Sequence, residues 1–137
     1  MTNPELVDTP FVAKDQVEYA AGSIVSKEIL HSDAGSITYF AFDRGQALSP
    51  HSAQFDAFVQ LLDGEAWFNV DGKDYHVRAG QTFIMPANIL HGVTAIERFK
   101  MSLTMIKGKW CEYSIPQVEL NMARTADVFS SAVRFVL

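Results

Sequence analysis

The sequence has few of the features that indicate a secreted, membrane-bound or nucleic-acid-binding protein. Cysteine occurs once in 137 residues, so an internal disulfide cannot form and nothing indicates an oxidising compartment. No run approaches the roughly 20 apolar residues that span a bilayer, and the mixed, acidic N-terminus does not match a signal peptide. Acidic residues outnumber basic ones by 16 to 11, for a formal net charge of −5. We therefore expect a cytoplasmic protein with no nucleic-acid and no membrane partner.

Several sequence motifs of catalysis and of nucleic-acid binding are also missing. The sequence has no Gly-rich phosphate loop, no nucleophile-elbow serine and no basic patch with interleaved aromatic residues. The single thiol, Cys111, has no neighbour in sequence that would stabilise a thiolate. The sequence does contain 48% hydrophobic residues, with ten phenylalanines. This composition suffices for one domain with a substantial core, and the chain is too short for two.

Short apolar runs separated by turn residues predict an all-β fold between residues 23 and 107. The two Asp-Gly pairs, Asp63-Gly64 and Asp71-Gly72, each predict a hairpin turn. The predicted strands are 23–30, 36–43, 55–62, 66–70, 74–78, 81–85, 91–97 and 99–107.

Two segments of different character flank the predicted strands. Residues 1–22 are polar with scattered proline and glycine, which predicts a loosely held N-terminal arm. Residues 108–137 carry apolar side chains at helical spacing, which predicts a helix from about residue 116 to 131, with a strand at 133–137 as the alternative for the last residues. The apolar stripe of that helix needs cover from the barrel or from a second subunit. The chain thus divides into arm, barrel (23–107) and C-terminal extension.

Glycine, proline and histidine recur at fixed spacings in two stretches. The residues concerned are Gly45, His51 and Gly64 in the first stretch and Gly80, Pro86 and His91 in the second. Their spacings resemble the two motifs of the cupin superfamily. The first motif is a Gly, five residues, His-x-His, three or four residues, a Glu, six residues and a Gly; the second is a Gly, five residues, Pro-x-Gly, two residues, a His, three residues and an Asn. The sequence is identified as similar to small single-domain bacterial cupins.

The resemblance implies a double-stranded β-helix, the jelly-roll barrel of cupins, and often a homodimer. It also implies a divalent transition metal such as Zn, Ni, Fe or Mn, bound by three histidines and one glutamate. In this sequence the second histidine position is Ala53 and the glutamate position is Ala57. His51 and His91 therefore remain as a two-histidine remnant. Because catalytic metal sites use about three protein ligands, we expect any metal to be weakly held.

Strand alternation decides which neighbours could complete a site. An unbroken alternation from His51 sends the odd-numbered side chains of residues 51–61 inward and leaves Asp56 and Gln60 outside. A β-bulge near Gln54 would invert this pattern and bring Asp56 or Gln60 inward.

Three functional interpretations follow. The first is a small-molecule-binding cupin with a degenerate metal site, in which His51 and His91 are the polar groups of a pocket. The alternative is a metal-dependent enzyme, dioxygenase-like or isomerase-like, with a third ligand from Gln60 or Asp56. The third is an interaction module that uses the C-terminal extension and has no ligand of its own. In the first interpretation, the apolar wall of the pocket is predicted to be Phe55, Val59, Met85 and Met101.

Overall fold

The computed structural model describes residues 3–107, which form eight β-strands after two short 3-10 turns, Pro4–Leu6 and Ala13–Gln16. The predicted all-β class is confirmed. The C-terminal extension and its predicted helix lie outside the described residues. Within residues 3–107, no helix is long and apolar enough to cross a membrane. The strands are β1 (Ile24–Ser32), β2 (Gly35–Phe42), β3 (Ala47–His51), β4 (Asp56–Val70), β5 (Lys73–Arg78), β6 (Thr82–Met85), β7 (His91–Thr94) and β8 (Phe99–Ile106).

The strands form one curled antiparallel sheet around the long strand β4. The hydrogen-bonded order is β1-β2-β8-β4-β7-β3, with β5 and β6 also paired to β4. The first half of β4 pairs with β8 and β6, and its second half pairs with β7 and β5. Strand β4 is therefore shared by the two layers of the barrel, and the core lies between them.

The predicted hairpin at Asp63-Gly64 is wrong, because β4 runs through both residues without reversing. A register shift between Leu61 and Asp63, opposite Met101 and Lys100 on β8, marks a β-bulge at this point. Gly64 has φ +75°, and a Cβ there would overlap the carbonyl oxygen of Arg98. The Asp-Gly pair therefore serves a close approach between strands and not a chain reversal.

The bulge in β4 also resets which side chains face the core. Before it, the odd-numbered Ala57, Val59 and Leu61 are buried; after it, the even-numbered Ala66 and Phe68 are buried. Since one extra residue shifts the period-two alternation, both halves of β4 present their apolar side chains inward. Trp67, next to Phe68, faces outward and stacks on His76.

The second Asp-Gly pair does form the predicted hairpin turn. Asp71 and Gly72 both have positive φ, at 53° and 86°, which matches the two-residue turn favoured between antiparallel strands. The Asn69 side-chain oxygen accepts a hydrogen bond from the backbone N–H of Gly72. This turn joins β4 to β5 with Val70 directly opposite Lys73.

Aromatic packing fills the interior between the layers. Phe42, Phe68, Phe99 and Val59 are the largest fully buried side chains. The rings of Phe42 and Phe99, partners in the pairing of β2 with β8, stack with centroids 4.5 Å apart. Burying a side chain of this size contributes about 1.5–3 kcal/mol.

The N-terminal arm is docked on the barrel, which differs from the loosely held segment that its polarity predicts. Val17 is buried in a second small core with Tyr39 and Ala41 of β2. The hydroxyl of Tyr19 donates a 2.6 Å hydrogen bond to an Asp63 carboxylate oxygen. A few apolar anchors and this hydrogen bond suffice to order a segment that has little periodicity of its own.

Candidate functional site

The two motif histidines are brought together by the pairing of two short strands. His51, at the end of β3, lies directly opposite His91, at the start of β7. Their imidazole centroids are 4.8 Å apart, with the ring planes inclined by 59°. Residues 40 positions apart in the sequence thus form one cross-strand pair.

A β-bulge in β3 sets the orientation of His51. Leu48 pairs with Val93, but His51 pairs with His91, so β3 has one residue more than β7 over this interval. The extra residue lets Leu48 and His51 line the same cavity although they are three positions apart. Gly92 accommodates the bulge, since a Cβ there would lie 2.8 Å from the Leu48 carbonyl oxygen.

Backbone hydrogen bonds fix the tautomer of both histidines. Nδ1 of His51 lies 3.0 Å from the carbonyl oxygen of Ser49, and Nδ1 of His91 lies 3.1 Å from that of Ile89. A carbonyl can only accept, so Nδ1 carries the proton in both neutral rings. Nε2 is then an unprotonated nitrogen, and no group within residues 3–107 hydrogen-bonds it in either ring. The pair therefore offers two acceptor or ligand atoms.

His91 is the more buried of the two, with 9% of its surface exposed, whereas His51 is exposed. Burial lowers the pKa of His91, and the nearby His51 lowers it further, against an opposing effect of the hydrogen bond to Ile89. The imidazole of His91 is therefore held in its neutral form to a lower pH than a free histidine.

The pair borders a cavity of about 100 Å³ between the two layers of the barrel. Within the described part of the chain, the two imidazoles are the only polar side chains of the lining. Three methionines, Met85, Met101 and Met105, contribute thioethers to it. The remaining lining residues are Leu48, Ala53, Ala57, Phe68, Gly92, Val93 and Leu103.

Of the predicted pocket residues, the structure brings four together and leaves two apart. His51, His91, Met85 and Met101 line the cavity. Val59 is completely buried in the core, deeper along β4. Phe55 precedes β4 and does not line the cavity; the ammonium of Lys107 lies over its ring, 5.5 Å from the centroid.

The candidate third metal ligands are placed away from the histidines. Gln60 is exposed, on the face of β4 opposite to the buried Val59 and Leu61. Asp56 accepts a hydrogen bond from the backbone N–H of Ala87 through Oδ1. The bulges of β3 and β4 flank this segment, and neither turns Gln60 inward.

The residues present do not fit a three-histidine, one-carboxylate metal centre. Ala53 and Ala57 line the same cavity as the two histidines, so methyl groups occupy the positions where the motif has a histidine and a glutamate. Within residues 3–107, no group of three or more His, Cys, Asp or Glu side chains could hold a metal ion. Two imidazoles alone leave a divalent metal short of the usual protein ligands.

Sequence reasoning missed the contribution of β3. Leu48 lines the cavity, yet residues 47–51 were not predicted to form a strand, and a proline at position 50 argues against one. Alternation from His51 would also send Leu48 to the other side. The pair Ser49-Pro50 before a motif histidine is the one local signal that could have indicated a bulge.

Comparison with known proteins places this geometry in a family. The family model of the cupin domain matches residues 38–107. A conserved protein of unknown function from Streptococcus pyogenes is 32% identical, with a TM-score of 0.71 over 75% of this chain and 90% of that chain. A cupin superfamily protein from Desulfitobacterium hafniense, 23% identical with a TM-score of 0.70 over 74% of this chain and 93% of that one, shares the fold.

A third similar structure is the cupin 2 conserved barrel domain protein from Leptotrichia buccalis. It is 42% identical, with a TM-score of 0.69 over 71% of this chain. The match covers 47% of that protein, so this chain corresponds to about half of its length. No curated protein matches the sequence.

Proposed function

The chain belongs to the cupin domain family, and from that premise we propose that it binds a small molecule in the cavity beside His51 and His91. The observation that carries the proposal is the contrast within the lining. Two imidazoles with unprotonated Nε2 atoms border a cavity that is otherwise apolar. A few placed polar groups in an apolar concavity are typical of ligand sites.

The chemistry of the lining limits the ligand. Two acceptor nitrogens require a ligand with N–H or O–H donors, and the thioether and aliphatic wall favours an apolar body. No charged side chain is among the described lining residues, so nothing there compensates the desolvation of an anion. The volume of about 100 Å³ is below the ~150 Å³ that accommodates a benzene ring. The ligand is thus a small, neutral hydrogen-bond donor.

A matched set of small probes tests this proposal. Pyrrole has an N–H donor, furan has the same ring without it, and propionate is an equally small anion. We expect pyrrole to bind more tightly than furan, and propionate to bind least. Selective methyl labelling of methionine reports binding in nuclear magnetic resonance spectra, because all three methionines among the described residues line the cavity.

Histidine variants complete the test. His51→Leu removes one acceptor at an exposed position, so the fold should tolerate it. We expect it to weaken pyrrole by the value of a hydrogen bond, about 1 kcal/mol, while furan is unaffected. His31→Ala, at an exposed position near the end of β1, is the control. Equal binding of pyrrole and furan, or methionine signals unmoved by any probe, would contradict the proposal.

A homodimer stays part of the proposal. Phe58 and Ile84, direct partners across β4 and β6, face outward and are 36% and 61% exposed. Apolar side chains grouped on an outer sheet face are typical of surfaces that are covered in an assembly. Light scattering of the full chain, with Ile84→Lys as the comparison, measures the oligomeric state. A monomeric parent chain would contradict it.

A further inference from the structure

An apolar groove lies on the outer face of the barrel where β1, β2 and β8 run side by side. Strand pairing places Leu30 beside Ile37 and Ile37 beside Thr104. These three residues and Ile106 line the groove, which has a volume of about 280 Å³ and no charged side chain among its described lining residues. Leu30 and Ile106 are 43% and 58% exposed. Apolar side chains that are grouped and exposed in this way are typical of a docking surface.

The neighbouring part of the same face is covered by the chain itself. Tyr39 and Ala41, which follow Ile37 on the same side of β2, are buried in one cluster with Val17 of the N-terminal arm. Ile37 is only partly buried and packs at the border of this cluster. The groove therefore continues a face whose other part the arm covers.

The chain leaves the described residues at the edge of this groove. Strand β8 ends at Ile106, and the backbone N–H of Lys107 donates a 2.9 Å hydrogen bond to the carbonyl oxygen of Ala34, between β1 and β2. Ala34 and Ile106 both line the groove. Residues 108–137 thus begin beside it, and a segment tethered next to a surface meets that surface at a high effective concentration.

The sequence of the C-terminal extension fits an apolar groove. The helix predicted from about residue 116 to 131 would be about 24 Å long, whereas β1, β2 and β8 span roughly 10 Å of sheet. Residues 108–115 reach about 26 Å when extended, so the connector does not limit where the helix lies. Apolar side chains recur every three or four residues of the predicted helix and so share one face. They are Val118, Met122, Ala126 and Phe129.

We propose that residues 108–137 dock on the groove of their own barrel, with the apolar stripe of the predicted helix against Leu30, Ile37 and Ile106. The tether favours the same chain over a second copy, because the extension begins at the edge of its own groove. The inference goes beyond the proposed function. A docked extension completes the outer layer of the barrel and does not present its apolar stripe to another protein.

Limited proteolysis of the full-length protein measures how firmly the extension is held. Ile106→Asp places a charge in the groove at an exposed position, so the barrel should fold, which circular dichroism checks. We expect cleavage within residues 112–137 to be at least roughly tenfold faster than in the parent chain, because cleavage follows the undocked fraction. Ile96→Asp is the matched control: Ile96 is 55% exposed and precedes the opposite end of β8. It should leave the cleavage rate unchanged.

A second pair of variants tests the extension itself. Phe129→Asp disrupts the apolar stripe and should accelerate cleavage as Ile106→Asp does. Ser130→Asp, at the neighbouring position outside the stripe, should not. The combination of Ile106→Asp with Phe129→Asp should accelerate cleavage by less than the product of the two single effects, because either substitution alone already undocks the extension.

A spin label shows where the extension lies and in which chain. A nitroxide attached to a Cys111→Ser, Thr125→Cys chain should broaden the amide resonances of Leu30 and Ile106 more strongly than that of Tyr75 on β5. Labelled chains refolded together with unlabelled, ¹⁵N-enriched chains should leave the resonances of the enriched chains sharp, since docking occurs within one chain.

Each outcome decides the inference. Equal cleavage of Ile106→Asp and Ile96→Asp, or unbroadened resonances of Leu30 and Ile106 in the labelled chain, would overturn it. Broadening in the mixed sample would assign the groove to the extension of a second copy and would overturn it as well. Ile106→Asp should leave pyrrole binding and the oligomeric state unchanged, so failure of the docking leaves the proposed function standing.

Discussion

His51 and His91 form a cross-strand pair in which each ring hydrogen-bonds the backbone carbonyl two residues earlier in the chain. Within residues 3–107, each ring is oriented by a hydrogen bond to its own backbone, and no other side chain hydrogen-bonds it. This arrangement leaves the pair intact although the motif positions at Ala53 and Ala57 no longer supply ligands. The consequences for pH, metal binding and stability can be measured.

The first prediction concerns the pH dependence of stability. Burial lowers the pKa of His91 from its ordinary value of 6.5, so the unfolded chain binds more protons than the folded one just below that pH. The contribution to the free energy of unfolding is therefore complete above about pH 6.5 and is lost as the pH falls from there through the lowered pKa of the folded state. Urea unfolding at a series of pH values should show stability decreasing in this window.

Two variants identify the source of that pH dependence. His91→Gln removes the titrating group and should flatten the profile below pH 6.5, whereas His31→Ala should preserve its shape. Nuclear magnetic resonance titration of the imidazole signals gives the pKa of His91 directly. A His91 pKa at or above 6.5 would contradict the prediction.

The second prediction is a gain of metal binding. Ala53 and Ala57 line the cavity with both histidines, so Ala53→His with Ala57→Glu would raise the number of potential ligands from two to four. We expect the double variant to retain Ni(II) or Zn(II) through gel filtration at about one ion per chain, as measured by elemental analysis. The parent chain should not retain either ion.

A matched control variant shows whether metal binding requires the cavity positions or only the added histidine and glutamate side chains. Gln60→His with Phe58→Glu introduces the same two residue types but places both on the outward face of β4, since Phe58 and Gln60 are exposed. This variant should remain without a stoichiometric metal. Equal metal content in the two double variants would show that the cavity positions have no special role.

The third prediction concerns the bulge of β4. Gly64→Ala places a methyl group against the carbonyl oxygen of Arg98 in a left-handed conformation. We expect a loss of stability well above the roughly 1–2 kcal/mol that a left-handed residue alone costs. Gly80→Ala is the control, because Gly80 has φ +92° with open space around it. Chemical unfolding that gives equal losses for both variants would contradict a steric role for Gly64.

The fourth prediction tests the attachment of the N-terminal arm. Tyr19→Phe removes the hydroxyl that bonds Asp63 but keeps the aromatic ring, over which the cations of Arg98 and Lys100 lie at 4.9 and 5.0 Å. We expect a loss of about 1–2 kcal/mol and faster proteolytic cleavage within the arm. Tyr75→Phe, at a partly exposed ring on β5, should change neither property. Unchanged cleavage in Tyr19→Phe would show that apolar contacts alone hold the arm.

Much of the architecture could be predicted from spacing alone, and the exceptions have a common cause. The all-β class, the Asp71-Gly72 turn and the proximity of His51 to His91 follow from local turn chemistry and motif spacing. The chain path at Leu48 and at Gly64 does not, because both positions are β-bulges. A bulge depends on which strand lies opposite, and that partner can be far away in the sequence. For Val59, alternation correctly predicts an inward side chain, but it does not give the depth of the cavity along β4, and Val59 lies in the core beyond the lining.

The position of β8 has a consequence for how the protein is made. Strand β8 lies between β2 and β4, so β2 receives its second partner only after the chain has been synthesised to residue 106. The ring of Phe42 therefore cannot be buried against Phe99, on which it stacks, until β8 has been synthesised. On the ribosome, the apolar faces of β2 and β4 stay exposed for most of synthesis, and the final closure depends on long-range pairing. Such closure is typically slow and favours aggregation of incomplete chains. We therefore expect the growing chain to be a stronger chaperone client than the finished barrel.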